Sequence, residues 1–273
     1  MSAAMLLPMA VVAAALLLAA LGPGGGAAVD PALLARPLLP PTVAHPLGTN
    51  ALGQDLMSQF LAGARPAAVA GVLGAGLSTL LAVGAALLGS AGRRADALAR
   101  AVSDIVLAVP HLPLLILVVA LAGPSLGTIA IALGLLSWPA FARVLRAQTR
   151  VELTRGYVEA ARALGLSRPR ILVRHVAPAL APIAAAKGLL TVQYVVLAQA
   201  SLAFLGLGDP SIVSWGGTVH DALRYPLVFA TPVWSWWLLP PVVAIGLLVS
   251  CLALMGTTLD ERATPALRAL RPR

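Results

Sequence analysis

The chain has 273 residues, 59% of them hydrophobic and 11% charged, with a mean hydropathy of +0.92 and a formal net charge of +9. Soluble domains carry about 25% charged residues, so this composition excludes an ordinary soluble protein and predicts an all-α integral membrane protein. We therefore expect a lipid bilayer, and no nucleic acid, as its surroundings. The one cysteine, Cys251, excludes an internal disulfide or a cysteine metal cluster.

Six apolar stretches predict six transmembrane helices, because each approaches the roughly 20 residues that a bilayer requires. The first of them is short and ends in a glycine-rich run, so a retained helix and a cleaved signal peptide both fit; the lack of a preceding Lys or Arg favours the retained helix. The second contains Gly71, Gly74, Gly76 and Gly84, whose spacing would let helices approach closely in lipid. The stretches lie at about 5–21, 66–90, 102–122, 126–148, 179–205 and 233–257.

Positive charge predicts the orientation of these spans. Fifteen of the 19 Lys and Arg residues fall in the loop between spans two and three, in the segment from span four to span five, and in the C-terminal tail. The positive-inside rule places these three segments in the cytoplasm. With six spans, both termini are then cytoplasmic, and the segments at 22–65, 123–125 and 206–232 face outward.

Span three carries His111 between Pro110 and Pro113, which predicts a kinked or broken helix. A broken helix at membrane depth can line a path, so His111 is a candidate pathway residue beside the alternative of a packed kink. Asp104 is a second candidate, because intramembrane acids are often functional. Its alternative is a structural role, capping the helix and complementing its dipole.

Span five adds polar candidates for a pathway. Gln193, Gln199 and Ser201 would line it or bond to neighbouring helices. Lys187, near the other end, would extend its amine to the interface. Trp215, Trp234, Trp236 and Trp237 near the outer end of span six predict an interfacial aromatic belt.

The segment at 157–178 is the most informative part of the chain. Residues 158–164 are strong helix formers, Gly165 is placed to end that helix with a positive φ, and Ser167 can cap a new helix with Pro169 in its first turn. The alanines leave the short helix little bulk, so it could seat in a groove of a partner. An ordinary solvated loop is the alternative.

This segment resembles the EAA motif of ABC importer permeases through Glu159, Ala160, Ala161, Gly165 and Pro178. The resemblance implies a cytoplasmic coupling helix at about 157–168 that docks on an ATPase subunit. Ala177 departs from the motif, since Leu usually precedes that proline.

Two further stretches resemble the dipeptide/oligopeptide/nickel branch of that family. His45-Pro46-Leu47-Gly48-Thr49-Asn50, followed by Gly53-Gln54-Asp55 and Gly63-Ala64-Arg65, is similar to the pattern HPLGTDxxGRD…GAR. Asn50 stands where Asp is usual and Gln54 where Arg is usual. The run from Ser201 to Gly208, with Pro210 and Ser214-Trp215-Gly216, is similar to SFLGLG…P…SWG.

The resemblance implies the type I ABC importer permease fold. The division it implies is a first helix with its outer end at 1–30, an extracytoplasmic segment at 31–65, a core permease domain at 66–260 and a cytoplasmic basic tail at 261–273. A bacterial inner-membrane protein of this kind forms half of a path for peptides. It would pair with a second homologous permease in a heterodimer, with two ATPase subunits and with an extracytoplasmic binding protein.

The chain carries no G-x-x-x-x-G-K-[ST] phosphate loop, so we expect ATP and Mg²⁺ to bind the partner ATPases and this chain to bind no cofactor or metal and to be no enzyme. Nickel or another small solute is the alternative cargo. An ion-coupled secondary transporter and a membrane-embedded enzyme are the alternatives of other classes; the enzyme would need clustered ionisable residues at one depth, which the sequence lacks.

Overall fold

In the computed structural model, which describes residues 3–21 and 36–263, the chain is all helical apart from one isolated β-bridge between Thr49 and Asp55. The helices are α1 (Ala3–Leu21), α2 (Leu56–Gly89), α3 (Arg93–Ala108), α4 (His111–Ala122), α5 (Leu126–Glu152), α6 (Gly156–Ala163), α7 (Arg168–Ile171), α8 (Ala177–Phe204), α9 (Trp215–Arg224), α10 (Trp234–Trp237) and α11 (Leu239–Ala263). Residues 1–2, the connection between α1 and α2 at 22–35, and the tail at 264–273 lie outside the described residues.

Four helical rods are long and apolar enough to cross a bilayer: α2, α5, the stretch Arg168–Phe204 and the stretch Trp234–Ala263. The α3–α4 pair makes a fifth if its bend counts as a break within one span, and α1 contributes a shorter apolar helix, Leu6–Leu17. The all-α membrane fold is thus confirmed, with four or five spans by length and composition. Predicted span six begins with the one-turn helix α10, which is followed directly by the long helix α11.

The third predicted span, 102–122, is broken. Helices α3 and α4 meet at an angle of 84° around Val109 and Pro110. Pro110 has no amide hydrogen to continue the helix, and it drives the preceding Val109 into extended backbone (φ −91°, ψ 130°). The predicted break is confirmed, but the preceding arginines lie on helix α3 rather than in a loop.

Helix α2 is the centre of the bundle, packing along α5 and α8. Gly74 and Gly134 face each other across the α2–α5 contact, and a Cβ on either would press on the backbone carbonyl of the other helix. Gly71 packs closely against the side chains of two valines of α8, whereas Gly76 and Gly84 face open space. The prediction of close packing therefore holds for two of the four glycines.

The two ends of the bundle differ in composition. At one end, residues 36–55 pack against α9 and α10 through a cluster that includes Leu56, Ala222 and Trp237. At the other end, which we call the arginine-rich end, the α2–α3 turn, the α5–α6 loop and α7 lie together. The described parts of the segments predicted to share a side of the membrane are thus at the same end.

Candidate functional site

Helix α6 projects at the arginine-rich end and is anchored by one face. Val158 is fully buried and Ala161 is 5% exposed; both pack against Ile171, Leu172 and Val176. Burying these small apolar side chains stabilises the helix on its own chain. Ala161, which we predicted to seat in a partner's groove, therefore faces the protein's own bundle. It lies on the same helix face as Val158 because the two residues are three positions apart.

The opposite face of α6 is open. Glu159, Ala160 and Ala163 are exposed, and Leu164 just beyond the helix is 81% exposed. Within the described residues Glu159 forms no ion pair. The nearby Arg155 pairs instead with Glu152 at 3.7 Å. The exposed side chains of this segment also include Tyr157 and Arg162, so a partner would meet one acid, one arginine, one tyrosine, two alanines and one leucine.

Gly165 ends this helix at residue 163, earlier than the predicted 168. Its φ is +79°, as predicted, and its amide donates to the carbonyl of Arg162 (2.9 Å) while the amide of Leu166 donates to that of Ala161 (3.1 Å). These two bonds form a Schellman motif. Nothing lies within 4 Å of a Cβ built at Gly165, so the residue is required by its backbone conformation and not by space.

After this turn the chain returns to the bundle as one continuous helical stretch, Arg168–Phe204. Ser167 stands at the N-cap of α7, but its hydroxyl makes no capping bond, and Pro169 lies in the first turn as predicted. A π-helical segment, Leu172–Val176, joins α7 to α8. Pro178 is exposed at the start of α8, and because it lacks an amide hydrogen it favours this local widening of the helix. Pro178 therefore lies within this one continuous helical stretch, Arg168–Phe204.

A cavity of about 320 Å³ lies between α4, α5 and α8. Its polar lining residues are His111, Ser137, Lys187, Thr191 and Tyr194, and Phe141 is among the apolar ones. His111 Nδ1 lies 3.4 Å from the Tyr194 hydroxyl oxygen, and Lys187 Nζ lies 2.6 Å from Asp260 Oδ2 on α11. Lys187 therefore pairs with an acid instead of extending to the interface.

The other predicted pathway residues do not line this cavity. Gln199 is 4% exposed inside the bundle, Gln193 is half-buried, and Ser201 borders a separate cavity of about 160 Å³, where its hydroxyl donates to the Leu197 carbonyl (2.8 Å). Asp104 is exposed near the C-terminal end of α3 and pairs with Arg143 at 3.0 Å. Its predicted N-terminal cap role is wrong, because α3 begins at Arg93 and not near residue 102.

The residues that the sequence reasoning missed form a stripe. Lys187, Thr191 and Tyr194 follow the i, i+4, i+7 spacing of one helix face. That spacing in the sequence would have found them, whereas Gln193 and Gln199 were chosen by polarity alone. Thr191 also donates its hydroxyl to the Lys187 carbonyl at 2.9 Å.

At the opposite end of the bundle, the stretch from His45 to Asp55 forms a compact cap on α2. The Asp55 carboxylate accepts from the Ser58 amide (2.8 Å) and lies 3.1 Å from His45 Nδ1. The carboxamide oxygen of Asn50 accepts two backbone amides at 2.9 Å, and its nitrogen donates to Gln54 Oε1 at 2.7 Å. Gln54 Oε1 also accepts from Gln59 Nε2 at 2.8 Å. Asn50 and Gln54, the two departures from the expected pattern, are thus partners.

The stretch from Ser201 to Gly216 forms a second compact element at this end. Gly206 ends α8 with a φ of +79°, and Ser214 caps α9 by accepting from the Gly217 amide at 3.1 Å. Asp209 accepts from the Leu126 amide at 3.1 Å and from Ser211, and the hydrogen bond from the Ser211 hydroxyl holds the pKa of Asp209 below its ordinary value. This loop is thereby fixed to the start of α5.

Two of the four tryptophans predicted as an interfacial belt are buried. Trp215 is 4% exposed, covers Gly63 and donates its indole N–H to the Phe60 carbonyl at 2.8 Å; Trp237 is 3% exposed. Trp234 remains exposed. Within the described residues, no three His, Cys, Asp or Glu side chains are grouped as a metal site would require.

Comparison with known proteins gives matches over most of the chain. Residues 78–269 match the model of the family described as binding-protein-dependent transport system inner membrane component. A peptide transport system permease protein of Brucella suis is 36% identical over 239 residues, covering 84% of this chain and 76% of that protein. The oligopeptide transport system permease protein OppC of Mycobacterium tuberculosis is 35% identical over 238 residues, covering 86% and 80%.

A solved structure has the same fold. The MetNI methionine ABC transporter, in an inward-facing conformation, has a chain that superimposes with a TM-score of 0.59 at 16% identity, over 77% of this chain and 98% of that one.

Proposed function

This chain belongs to the family of inner membrane components of binding-protein-dependent transport systems, and from that premise we propose how it carries out its part of transport. It is the membrane-spanning permease subunit of an importer of the ATP-binding-cassette class. The alternatives of an ion-coupled secondary transporter and of a membrane-embedded enzyme are thereby set aside. Energy enters through the other subunits with which such permeases act.

The coupling site is the open face of α6, formed by Glu159, Ala160, Ala163 and Leu164. One observation carries this proposal: the helix is held on its own chain by Val158 and Ala161 while Leu164 stays 81% exposed. An exposed leucine beside two alanines fits an apolar groove on a partner, and the Glu159 carboxylate provides a charged contact at its rim. The partner is a cytoplasmic ATPase subunit, which binds ATP and Mg²⁺ in place of this chain.

The orientation follows from charge. We place the arginine-rich end in the cytoplasm and the 36–55 and 206–238 regions outside, which makes the N-terminus and the tail cytoplasmic. The outer regions then form the surface that receives an extracytoplasmic binding protein. A second homologous permease completes a heterodimer, with the path between the two subunits.

Transport is then alternating access driven by nucleotide. Closure of two ATPases moves α6, and because α6 packs on Ile171, Leu172 and Val176, it moves α8 with it. Helix α8 carries the Lys187–Thr191–Tyr194 stripe of the 320 Å³ cavity, so a rigid-body shift of α8 changes the wall of the path. His111, at the break between α3 and α4, faces the same cavity.

The cargo is a peptide. The relatives in Brucella and Mycobacterium are named for peptide and oligopeptide transport, and the cavity wall combines apolar with hydrogen-bonding side chains, which suits a peptide of mixed character.

The test uses the transporter assembled from this chain and its partner subunits in proteoliposomes. Glu159→Lys is expected to leave the amount of membrane-inserted complex unchanged and to abolish both peptide-stimulated ATP hydrolysis and uptake, because it reverses the one negative charge of α6. Glu159→Gln, which keeps the shape, is the matched comparison and is expected to retain part of the coupling. Normal stimulation and uptake by Glu159→Lys would show that α6 is not the coupling helix.

The cargo has its own test. Mass spectrometry of the ligand that co-purifies with the partner binding protein is expected to find peptides. Nickel or another small solute in its place would contradict the assignment of cargo while leaving the coupling site intact.

A further inference from the structure

A second cavity, of about 220 Å³, lies at the arginine-rich end and has no part in the proposed coupling or path. It is lined by the α2–α3 turn, the last turns of α5 and the first residue of α7. Four arginines and one aspartate line it, which gives it a formal charge of +3: Arg93, Arg146, Arg150, Arg168 and Asp96. An excess of positive charge around one cavity calls for an anion.

Arg146 is the decisive residue. It is 7% exposed, and its Nη1 is buried without a hydrogen-bond partner in the described part of the chain. A buried guanidinium nitrogen without a hydrogen-bond partner is unfavourable, because its lost hydration is not replaced. The Asp96 carboxylate attracts Arg146 from nearby but forms no ion pair with it, and its Oδ2 is held by Arg150 (2.8 Å) and Arg100 (3.2 Å).

The backbone adds to the same field. Helix α3 begins at Arg93 behind Gly92, with no side chain capping its first amides. Free amides at a helix N-terminus attract anions. Gly89 and Gly92 also line the cavity, and Gly89 leaves room for the Arg146 side chain, whose Cδ would lie 3.6 Å from a Cβ there.

We propose that this cavity binds a phosphate group, with Arg146 as its buried ligand and Arg93, Arg150 and Arg168 around it. Phosphate fits better than a carboxylate, because several oxygens and a larger charge match several guanidinium forks at once. Basic pockets between membrane helices on the cytoplasmic side bind lipid head groups, so an anionic phospholipid is one source. Free inorganic phosphate is the other.

Binding at this place would connect three elements, namely the α2–α3 turn, the end of α5 and the start of α7. Arg168 opens α7 directly after the turn that ends α6, and Arg150 lies two residues before the end of α5. A phosphate held between them would fix the base of the docking helix. The site does not depend on the cargo, and its test needs no transport.

The test compares wild-type transporter, Arg146→Gln and Arg143→Gln, all with the full chain. Arg143 is the control, because it lies one turn away on α5, is exposed and pairs with Asp104 outside the cavity. In the first arm, native mass spectrometry counts phosphatidylglycerol retained from nanodiscs that also contain phosphatidylcholine. In the second arm, inorganic phosphate is titrated in phosphatidylcholine nanodiscs and the thermal unfolding midpoint is followed.

Retention of phosphatidylglycerol by wild type and Arg143→Gln, with an occupancy about tenfold lower in Arg146→Gln, supports a lipid source. A phosphate-dependent rise in the midpoint that Arg146→Gln alone loses supports free phosphate. If Arg146→Gln and Arg143→Gln behave alike in both arms, the site does not exist. Should Arg146→Gln fail to assemble, Arg168→Gln replaces it, and its equality with Arg143→Gln in both arms overturns the proposal.

Discussion

Replacing Gly165 by alanine isolates the backbone turn that ends the docking helix. The φ of Gly165 is +79°, and nothing lies within 4 Å of a Cβ built there. The substitution therefore introduces no clash with the rest of the chain, and its whole cost is that of holding an alanine in the left-handed region. For a residue other than glycine that cost is about 1–2 kcal/mol.

A penalty of this size acts on the two bonds of the Schellman turn, Gly165 to Arg162 and Leu166 to Ala161. About 1–2 kcal/mol corresponds to a 5- to 30-fold fall in the ratio of formed to unformed turn. We expect the exposed Leu164 and the outward face of α6 to lose their fixed position in that proportion. Gly165→Asn should cost less, because Asn tolerates the left-handed region.

Gly156→Ala is the matched control. Gly156 is the first residue of the same helix, a Cβ there also meets open space, and its φ is not positive. Alanine favours helix formation over glycine, so this change should leave the turn unchanged or slightly firmer.

The assay is hydrogen–deuterium exchange of the Leu166 and Gly165 amides in the assembled transporter, with peptide-stimulated ATP hydrolysis measured on the same samples. Gly165→Ala should speed exchange at Leu166 and lower the stimulation of ATP hydrolysis. The stimulation should be lowest in Gly165→Ala, intermediate in Gly165→Asn and highest in wild type. Exchange and stimulation in Gly165→Ala equal to those of Gly156→Ala would refute the claim that the positive φ is what holds the docking face.

Three further predictions concern the rest of the bundle. Lys187→Met leaves the partly buried Asp260 without its ion-pair partner. We expect the free energy of unfolding to fall by about 2 kcal/mol, a value between those of exposed and buried ion pairs. Exchanging the two residues, as Lys187→Asp together with Asp260→Lys, should recover part of this loss in chemical denaturation. Asn50→Asp turns a carboxylate toward Gln54 Oε1 and should cost about 1–3 kcal/mol, which Gln54→Arg in the same chain should restore; no recovery in the double variant would contradict the pairing. The pKa of Asp209 is lowered in the folded state, so ionised Asp209 stabilises the fold above its ordinary pKa, and this contribution is lost as pH falls through the lowered value. The thermal unfolding midpoint of wild type should thus fall more than that of Asp209→Asn between pH 5 and about pH 2. Parallel curves for the two proteins would disprove the role.

The sequence predicted well wherever the cause is local. The positive φ of Gly165 follows from helix formers that stop at a glycine, and the break near Pro110 follows from a missing amide hydrogen. The N-terminal boundary of α2 could also have been predicted, since Asp55 is an N-cap residue whose carboxylate accepts from the Ser58 amide. The prediction began that helix at 66 because it relied on hydropathy, which the polar first turns dilute.

The sequence predicted poorly wherever the cause is tertiary. Asp104 was assigned to a helix start, yet its partner Arg143 is 39 residues away on another helix. Trp215 lies in an outward segment like an interfacial residue, but the space over Gly63 buries it. The burial of Arg146 could likewise not be predicted in a segment with seven other arginines, because only packing decides which guanidinium loses its water.

The central claim is that the outward face of α6 docks on an ATPase subunit while its inward face belongs to this chain. Ala160→Cys and Ala161→Cys test it directly, since these neighbours are exposed and 5% exposed respectively. The native Cys251 is replaced by alanine in both. In the assembled, nucleotide-free transporter, a short thiol-to-amine cross-linker should join Ala160→Cys to an ATPase subunit and leave Ala161→Cys unjoined. Equal cross-linking of the two, or none from Ala160→Cys in a complex that still couples ATP hydrolysis to peptide, would contradict the account.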